Sequence, residues 1–205
     1  MYKLFLKRIL DLLLSIILIP IIVVIGIPVA LLIFFDDKGP IFYNGERLGK
    51  NGKIFKMYKF RTMKVNSKDI RNKDGSTFNG ENDPRLTKIG KILRKTSIDE
   101  LPQIINVIKG DMSLVGPRPD LPEHINLYTK KERKKLLVSP GITGYNQAYF
   151  RNSITWKKRL KNDVYYVENL SFILDLKILF NTIKMVIRKD GVYIEKKWIL
   201  WTKVG

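Results

Sequence analysis

Asp99 and Glu100 are adjacent carboxylates in a setting that suits chemistry on phosphate. They belong to the stretch Ser97-Ile-Asp-Glu-Leu-Pro-Gln103, which is predicted to begin a helix and follows a basic segment ending in Arg94-Lys95. The N-terminus of a helix attracts anions, and neighbouring cations keep a carboxylate ionised. Such a carboxylate can attack phosphorus and form an acyl phosphate. Mg²⁺ would be needed to neutralise a diphosphate, and Asp or Glu side chains can hold it.

A structural interpretation of the same stretch stays open. Ser97 as N-cap and Glu100 three residues later form a capping box, and acids in the first turn of a helix are favoured by its dipole. The two acids nevertheless stand in a chain with 38 Lys and Arg against 19 Asp and Glu, which favours a functional role for them.

Three other cations are candidates for phosphate binding. Arg118 lies between two prolines in Gly116-Pro-Arg-Pro119, so its backbone is constrained enough for a phosphate clamp. The alternative is an ion-paired arginine in a surface turn. Lys59 and Arg61 are two residues apart and would share one face of a strand. For them, a solvated strand face is the alternative.

Composition limits the class of protein. A chain of 205 residues with a net charge of +19 forms one domain of ordinary size and needs an anionic partner: nucleic acid, acidic lipid or nucleotide phosphate. The absence of cysteine excludes disulfides, thiolate nucleophiles and iron–sulfur sites, and the single histidine, His124, is expected at the surface. The sequence has neither a P-loop nor an RNA-binding or helix-turn-helix signal, so nucleic acid is not the expected partner.

A membrane segment is predicted near the N-terminus. Leu12–Phe35 is a run of 24 residues without a formal charge, which is long enough to cross a bilayer and too long for a signal peptide. Both flanks are basic, so the positive-inside tendency would keep both ends in the cytoplasm. Pro20 removes a backbone hydrogen bond near the middle and favours a kink. A helix that enters the bilayer and turns back is therefore favoured over one that spans it.

The rest of the chain predicts an α+β fold that is mostly helical. Residues 40–63 resemble a short β-hairpin, 65–83 a surface loop, and 140–144 a turn. Helical patterns are expected after residue 84, from Ser97 to Gly110, within 121–137, and twice within 155–188. We expect a re-entrant helix at 1–36, a compact cytoplasmic catalytic domain at 37–190, and a basic, aromatic tail at 191–205.

Taken together, the motifs resemble the bacterial sugar transferases, or monotopic phosphoglycosyl transferases, in their minimal form, similar to the enzymes that begin glycan assembly with a bacillosamine-type sugar. The similarity runs in order from residue 3 to about residue 190. The motifs that carry it are Lys7-Arg8 with Asp11, Gly39-Pro-Ile-Phe42, Lys59-Phe-Arg-Thr-Met63, Asp83-Pro-Arg-Leu-Thr-Lys-Ile-Gly90, Leu93-Arg94, Ser97–Gln103, Asn106-Val107, Gly110–Pro119 and Pro140-Gly-Ile-Thr-Gly144.

The resemblance implies a reaction and a place. A sugar 1-phosphate would pass from a UDP-sugar to undecaprenyl phosphate, with release of UMP, at the cytoplasmic face of the bacterial plasma membrane. Asp99 would be the nucleophile in a ping-pong mechanism, and Glu100 its partner in placing Mg²⁺. Arg118 and Arg94 would contact phosphate. The basic surface would face anionic headgroups.

Two departures from the family pattern bear on these expectations. Ile19 precedes the kinking proline where relatives often have Ser, so Ser15 is expected to bond within its own turn instead. After the Pro-Gly-x-Thr-Gly turn the chain keeps Gln147 but has Phe150-Arg151-Asn152 where relatives have Gly-Arg-Asn. Gln147 and Arg151 are expected to read the nucleotide sugar, whose identity the sequence leaves open.

The rival functions also stay open. One is a membrane-tethered basic module that binds anionic lipid or nucleic acid without catalysis, which the charge alone would explain. Another is a transferase that attacks directly, without a covalent intermediate. The oligomeric state, including a homo-oligomer, is not fixed by the sequence.

Overall fold

The chain begins with its longest helix, α1 (Lys7–Asp36), which follows a short π-helical segment, Tyr2–Leu6. The computed structural model describes residues 2–70, 78, 80, 82–151 and 153–188. The other helices of this part are α2 (Lys88–Thr96), α3 (Gln103–Lys109), α4 (Tyr145–Tyr149), α5 (Trp156–Asn169) and α6 (Phe172–Arg188). The strands are β1 (Phe42–Leu48), β2 (Ile54–Phe60), β3 (Ser113–Val115) and β4 (Gly141–Thr143). The fold is therefore mostly helical with a short hairpin, as predicted.

Helix α1 runs through Pro20 and Pro28 and is apolar over most of its length. It is long and apolar enough to cross a membrane. Its buried residues share one face, which packs on the rest of the protein, and they are Asp11, Ser15, Val29 and Ile33. The hydroxyl of Ser15 is buried without a hydrogen-bond partner in the described part of the chain, so the bond expected within its own turn is wrong.

The predicted hairpin is confirmed. Strands β1 and β2 pair antiparallel with Phe42 opposite Phe60 and Leu48 opposite Ile54. The turn between them uses two left-handed residues, Asn51 (φ 57°) and Gly52 (φ 78°), which are types that tolerate this conformation. Lys59, a candidate site residue, lies opposite Tyr43, one residue before the end of β2, and its side chain contacts the segment that follows α2.

The turn predicted at 140–144 is instead a short strand. Strand β4 pairs parallel with β3, with Ser113 beside Gly141 and Val115 beside Thr143. The two backbones approach so closely that a Cβ on Gly141 would lie 2.1 Å from the Gly116 nitrogen. Glycine is needed here because no side chain fits between the two chains. This contact supports the loop that carries Arg118.

Tyr166 and Val107 are central residues of the main core, which contains side chains of β2, α3, β3, α5 and α6.

The two helices predicted within 155–188 are confirmed as α5 and α6. The helical pattern predicted within 121–137 is confirmed as two short 3₁₀ segments, Pro122–Leu127 and Glu132–Leu137, and not as an α-helix. His124, expected at the surface, is buried against Trp156 with ring centroids 4.9 Å apart. The tail at 191–205 lies outside the described residues.

Candidate active site

Ser97 lies at the change of chain direction between α2 and the turn that carries the two carboxylates. It has a left-handed conformation (φ 60°) and ends α2, with its backbone N–H donating to the Arg94 carbonyl at 3.3 Å. A 3₁₀ turn then spans Ile98–Glu100, and α3 begins only at Gln103. The Ser97 side chain makes no capping hydrogen bond to this turn. The capping-box interpretation is therefore wrong, because Ser97 ends one helix instead of starting the next.

Two cations converge on Glu100. Lys59 Nζ lies 2.5 Å from Glu100 Oε1, and an Arg118 guanidinium nitrogen lies 3.0 Å from the same oxygen. Asp99 is 3.8 Å from Lys59, beyond hydrogen-bond distance. The end of β2, the 3₁₀ turn and the loop after β3 thus meet at one point. The structure brings together four of the residues that the sequence predicts for the site.

The two carboxylates have opposite pKa shifts. Burial raises the pKa of Asp99, with a further contribution from the charge of Glu100, against the opposing effect of Lys59, Arg94 and Arg118. Burial acts in the same direction on Glu100, but Lys59 and Arg118 overcome it and lower the pKa to about 2. The expectation that cations keep the carboxylate ionised therefore holds for Glu100, whereas the shift of Asp99 is upward. A pair of acids with pKa values pushed apart is typical of sites where the two have different roles.

Arg94 is held on the side of α2 that faces the site. Its Nε donates to the Thr62 hydroxyl at 3.1 Å, and its charge acts on Asp99. The helix approaches Thr62 closely because Gly90 has no side chain: a Cβ there would lie 2.0 Å from the Thr62 carbonyl oxygen. Thr87 caps the same helix through a 2.9 Å bond from the Gly90 N–H. Close packing at Gly90 thus sets the position of Arg94.

Arg61 does not join Lys59 at the carboxylates. Strand β2 ends at Phe60, and the Arg61 guanidinium turns to the end of α1, where it pairs with Asp37 and bonds to the carbonyls of Asp37 and Pro40. Its side chain is only 8% exposed. Lys59 and Arg61 therefore do not form one cationic face. The contacts of Arg61 favour a structural role in joining α1 to the hairpin.

Gln147 and Arg151 lie in and after α4. The side-chain amide of Gln147 is buried, and neither Oε1 nor Nε2 has a hydrogen-bond partner in the part of the chain that the structure describes. Its Oε1 would lie 3.1 Å from a Cβ on Gly144, whose backbone packs on the Gly116 carbonyl. Arg151 has a left-handed backbone (φ 46°). Gln147 is thus close to the base of the loop that carries Arg118.

Asp99 and Glu100 are the residues that fit a divalent cation. No cluster of three or more His, Asp or Glu side chains suited to a metal occurs among the described residues. Mg²⁺ does not require one, since it is commonly held by one or two carboxylates together with water and substrate phosphates. Lys59 and Arg118 both bind the same oxygen of Glu100, Oε1. Asp99 and Glu100 are carboxylates, the ligand type that Mg²⁺ takes, so they are the residues that would hold it.

Comparison with known proteins shows the family to which the chain belongs. Residues 2–189 match the family model described as bacterial sugar transferase. The chain belongs to this family. An uncharacterised sugar transferase of Bacillus subtilis is 50% identical over 153 residues, which are 75% of this chain and 73% of that protein.

Two other relatives of this sugar transferase have names that state a reaction. An undecaprenyl-phosphate galactose phosphotransferase of Salmonella typhimurium is 40% identical over 203 residues, 92% of this chain and 42% of that protein. A UDP-N-acetylgalactosamine-undecaprenyl-phosphate N-acetylgalactosaminephosphotransferase of Aeromonas hydrophila is 36% identical over 193 residues, 91% of this chain and 45% of that protein. The chain thus spans less than half the length of these two relatives.

Two supporting residues of the sugar transferase were missed from sequence. Thr62 contacts Arg94, and Gly90 permits the approach of α2 to it. The signal for Gly90 was present, because a glycine inside a helical pattern lowers helix stability and commonly marks close packing. Thr62 carried no comparable signal, since its role depends on which segment packs beside β2.

Proposed function

We propose that this sugar transferase moves a sugar 1-phosphate from a UDP-sugar to undecaprenyl phosphate and releases UMP. The observation that carries the proposal is the division of roles at the carboxylate pair. Glu100 is bound by Lys59 and Arg118, whereas the carboxylate of Asp99 is beyond hydrogen-bond distance of Lys59. Asp99 is thus the carboxylate available for attack. The names of the Salmonella and Aeromonas relatives support the same donor and acceptor chemistry.

The proposed reaction has two displacements at one phosphorus atom. A carboxylate oxygen of Asp99 attacks the phosphorus that carries the sugar, and the bond from that phosphorus to the bridging oxygen of UMP breaks. UMP leaves with the electron pair. An oxygen of undecaprenyl phosphate then attacks the same phosphorus, breaks its bond to Asp99, and regenerates the carboxylate. Such covalent catalysis divides one difficult transfer into two easier ones.

The cations of the site would stabilise the charge of the diphosphate. Arg118 has a half-exposed guanidinium that can contact substrate while it pairs with Glu100. The charge of Arg94 also acts on Asp99. Preorganised cations aimed at developing negative charge contribute strongly in a site of low dielectric constant. Mg²⁺ held by Asp99 and Glu100 would supply Lewis-acid neutralisation of the diphosphate when bound.

The contacts of α1 support a re-entrant arrangement in the membrane. Near its start, Lys7 pairs with Asp175 of α6 at 2.6 Å. Near its end, Val29 and Ile33 pack against Phe60 and Leu93. A 30-residue helix is about 45 Å long, which exceeds a bilayer core of about 30 Å. Contacts of both its ends with the same domain favour a position of both ends on one side of the membrane.

Exposed apolar side chains support contact with lipid. Those of α1 include Ile17 and Val24, which are 66% and 73% exposed. Helix α6 presents another row, and its members are Ile173, Leu176, Phe180, Ile183 and Ile187. Apolar areas of this kind mark interaction surfaces. With both basic flanks of α1 on one side, the positive-inside tendency supports the cytoplasmic face, where the cationic surface would meet anionic lipid.

The decisive experiment measures UMP release by purified protein with undecaprenyl phosphate, Mg²⁺ and a panel of UDP-sugars. One sugar is expected to be active, and Asp99→Asn to lose activity by more than about 1,000-fold. Full activity of Asp99→Asn would exclude Asp99 as nucleophile. Absence of UMP release with every sugar, together with salt-sensitive binding to anionic lipid or nucleic acid, would instead support a non-catalytic module.

A labelling experiment separates the two transfer mechanisms. With UDP-sugar labelled in the phosphate next to the sugar, and without lipid acceptor, label should accumulate on the wild-type protein and not on Asp99→Asn. The label should leave when undecaprenyl phosphate is added. Activity without protein-bound label would indicate direct attack.

A further inference from the structure

A buried cluster of charges lies behind Arg118. Lys135 Nζ is 2.6 Å from Asp120 Oδ2 and 2.8 Å from Asp163 Oδ2. The Lys135 side chain is only 4% exposed, and that of Asp163 5%. No step of the proposed reaction uses this cluster. Lys135 lies in the 3₁₀ segment Glu132–Leu137, and Asp163 lies in α5. Asp120 directly follows the Gly-Pro-Arg-Pro loop.

The cluster is bonded to the backbone of the loop itself. Lys135 Nζ donates to the Arg118 carbonyl at 3.2 Å. Asp120 holds the other end of the loop, because its carbonyl accepts from the Leu48 N–H at 2.9 Å and its carboxylate accepts from Lys135. On the opposite side, the Gly141 N–H donates to the Pro117 carbonyl at 3.0 Å. The backbone on both sides of Arg118 is therefore tied down.

The polar atoms around Lys135 are well satisfied. Asp120 also accepts from Tyr128 at 2.6 Å and from Trp156 at 3.3 Å, and Asp163 accepts from Asn146 at 2.7 Å. Burial disfavours the charged ammonium, but Asp120 and Asp163 overcome this effect and raise the pKa of Lys135. A network in which the buried lysine and both buried carboxylates are hydrogen-bonded resists displacement in a low-dielectric interior. It gives the loop a rigid support.

We propose that Lys135 is a positioning residue that holds the Arg118 backbone where the guanidinium reaches Glu100 and the substrate diphosphate. The inference rests on the proposed function, since it assigns Lys135 a role through Arg118 in that reaction. The alternative is that Lys135 only stabilises the fold. The two are separable, because a positioning residue loses its effect on catalysis once the side chain that it positions is absent.

The test is a double-mutant cycle on UMP release between Lys135→Met and Arg118→Ala. In the wild-type background, Lys135→Met should lower kcat/KM about 100-fold, the scale of a misplacement of about 1 Å. In the Arg118→Ala background, the further loss should be less than about threefold. The matched control is Lys134→Met, because Lys134 is the adjacent lysine, is 49% exposed, and pairs with Glu168 on the surface. It should change activity less than twofold.

A milder variant covers the event that Lys135→Met does not fold, since it leaves two buried carboxylates without their cation. Tyr128→Phe removes only the hydroxyl that donates to Asp120 and leaves no buried charge unpaired. It should lower kcat/KM about tenfold in the wild-type background and have little effect in the Arg118→Ala background. The melting temperature of Lys134→Met, which should equal that of the wild type, is the reference for its stability.

Equal fold losses in both backgrounds would overturn the proposal and leave Lys135 as a purely structural residue. So would a wild-type value of kcat/KM in a folded Lys135→Met protein. Failure of the proposed function is a different result, because the wild-type protein itself would then release no UMP.

Discussion

Lys59 lies 2.5 Å from Glu100 and 3.8 Å from Asp99, although the two carboxylates are adjacent in the chain. The 3₁₀ turn at Ile98–Glu100 makes this possible, because it directs neighbouring side chains differently. Glu100 is therefore within hydrogen-bond distance of the Lys59 cation, and its neighbour Asp99 is not. Asp and Glu are chemically alike, so the difference in their distances from Lys59 comes from the backbone, which directs the two side chains differently.

Loss of the Lys59 cation should lower the rate of the reaction more than it lowers the stability of the fold. We expect Lys59→Met to lower kcat/KM for UMP release about 100-fold, because a cation aimed at the substrate diphosphate and at Glu100 is removed. Lys56→Met is the control, since Lys56 is an exposed lysine on the same strand. An equal loss in both variants would show that general strand charge, and not the contact with Glu100, matters.

Arg61 should affect stability and not substrate affinity. Its guanidinium is engaged by Asp37 and by backbone carbonyls, so Arg61→Met should lower the free energy of unfolding by about 2 kcal/mol. Thermal unfolding in detergent measures this loss. The KM for the UDP-sugar should stay within twofold of wild type in protein that remains folded. A large increase in KM at an unchanged melting temperature would instead assign Arg61 to substrate binding.

Gly90 should not tolerate a side chain. A Cβ at this position would lie 2.0 Å from the Thr62 carbonyl, so Gly90→Ala must displace α2 and with it Arg94. We expect a loss of about 2 kcal/mol in stability and a fall in UMP release. Gly26→Ala is the matched control, because its Cβ would meet the Phe60 ring at an ordinary 3.5 Å. Similar losses in both variants would contradict the importance of the contact with Thr62.

Both ends of α1 should be accessible from the same side of the membrane. The natural chain has no cysteine, so Phe5→Cys, Lys38→Cys and Lys53→Cys each introduce a single thiol at an exposed position. With an impermeant maleimide, none should react in intact spheroplasts, and all three should react after lysis. Lys53 is the reference for the catalytic domain. Reaction of Phe5→Cys alone in intact cells would indicate a spanning helix.

Features that depend on local pattern were predictable from sequence. The hairpin was correctly expected because its apolar segments and glycines lie close together in the chain, and α5 and α6 because their apolar residues recur with helical spacing. The proximity of Arg118 to the carboxylates was expected only from the family resemblance. The ion pair between Arg118 and Glu100, 3.0 Å long, gives this proximity a physical basis.

Features decided by distant contacts were not predictable. Ser97 has a left-handed backbone that its residue type does not favour, so nothing local signalled that it ends α2. The strand at Gly141–Thr143 forms because Ser113–Val115 is available to pair with it. His124 is buried because Trp156, from α5, covers it. For the strand and for His124, the deciding partner lies elsewhere in the chain.

The ion pair between Lys7 and Asp175 also sets an order of events during synthesis. Its two residues are 168 positions apart, so the membrane helix emerges from the ribosome long before α6 exists. Tyr2 and Lys7 both donate to the same oxygen of Asp175, Oδ2, so neither bond can form before Asp175 is synthesised. The apolar helix is therefore synthesised before its partner, and the Lys7–Asp175 pair can form only after translation has passed α6. A nascent chain stalled before that point would hold its membrane helix without the contact that fixes its start.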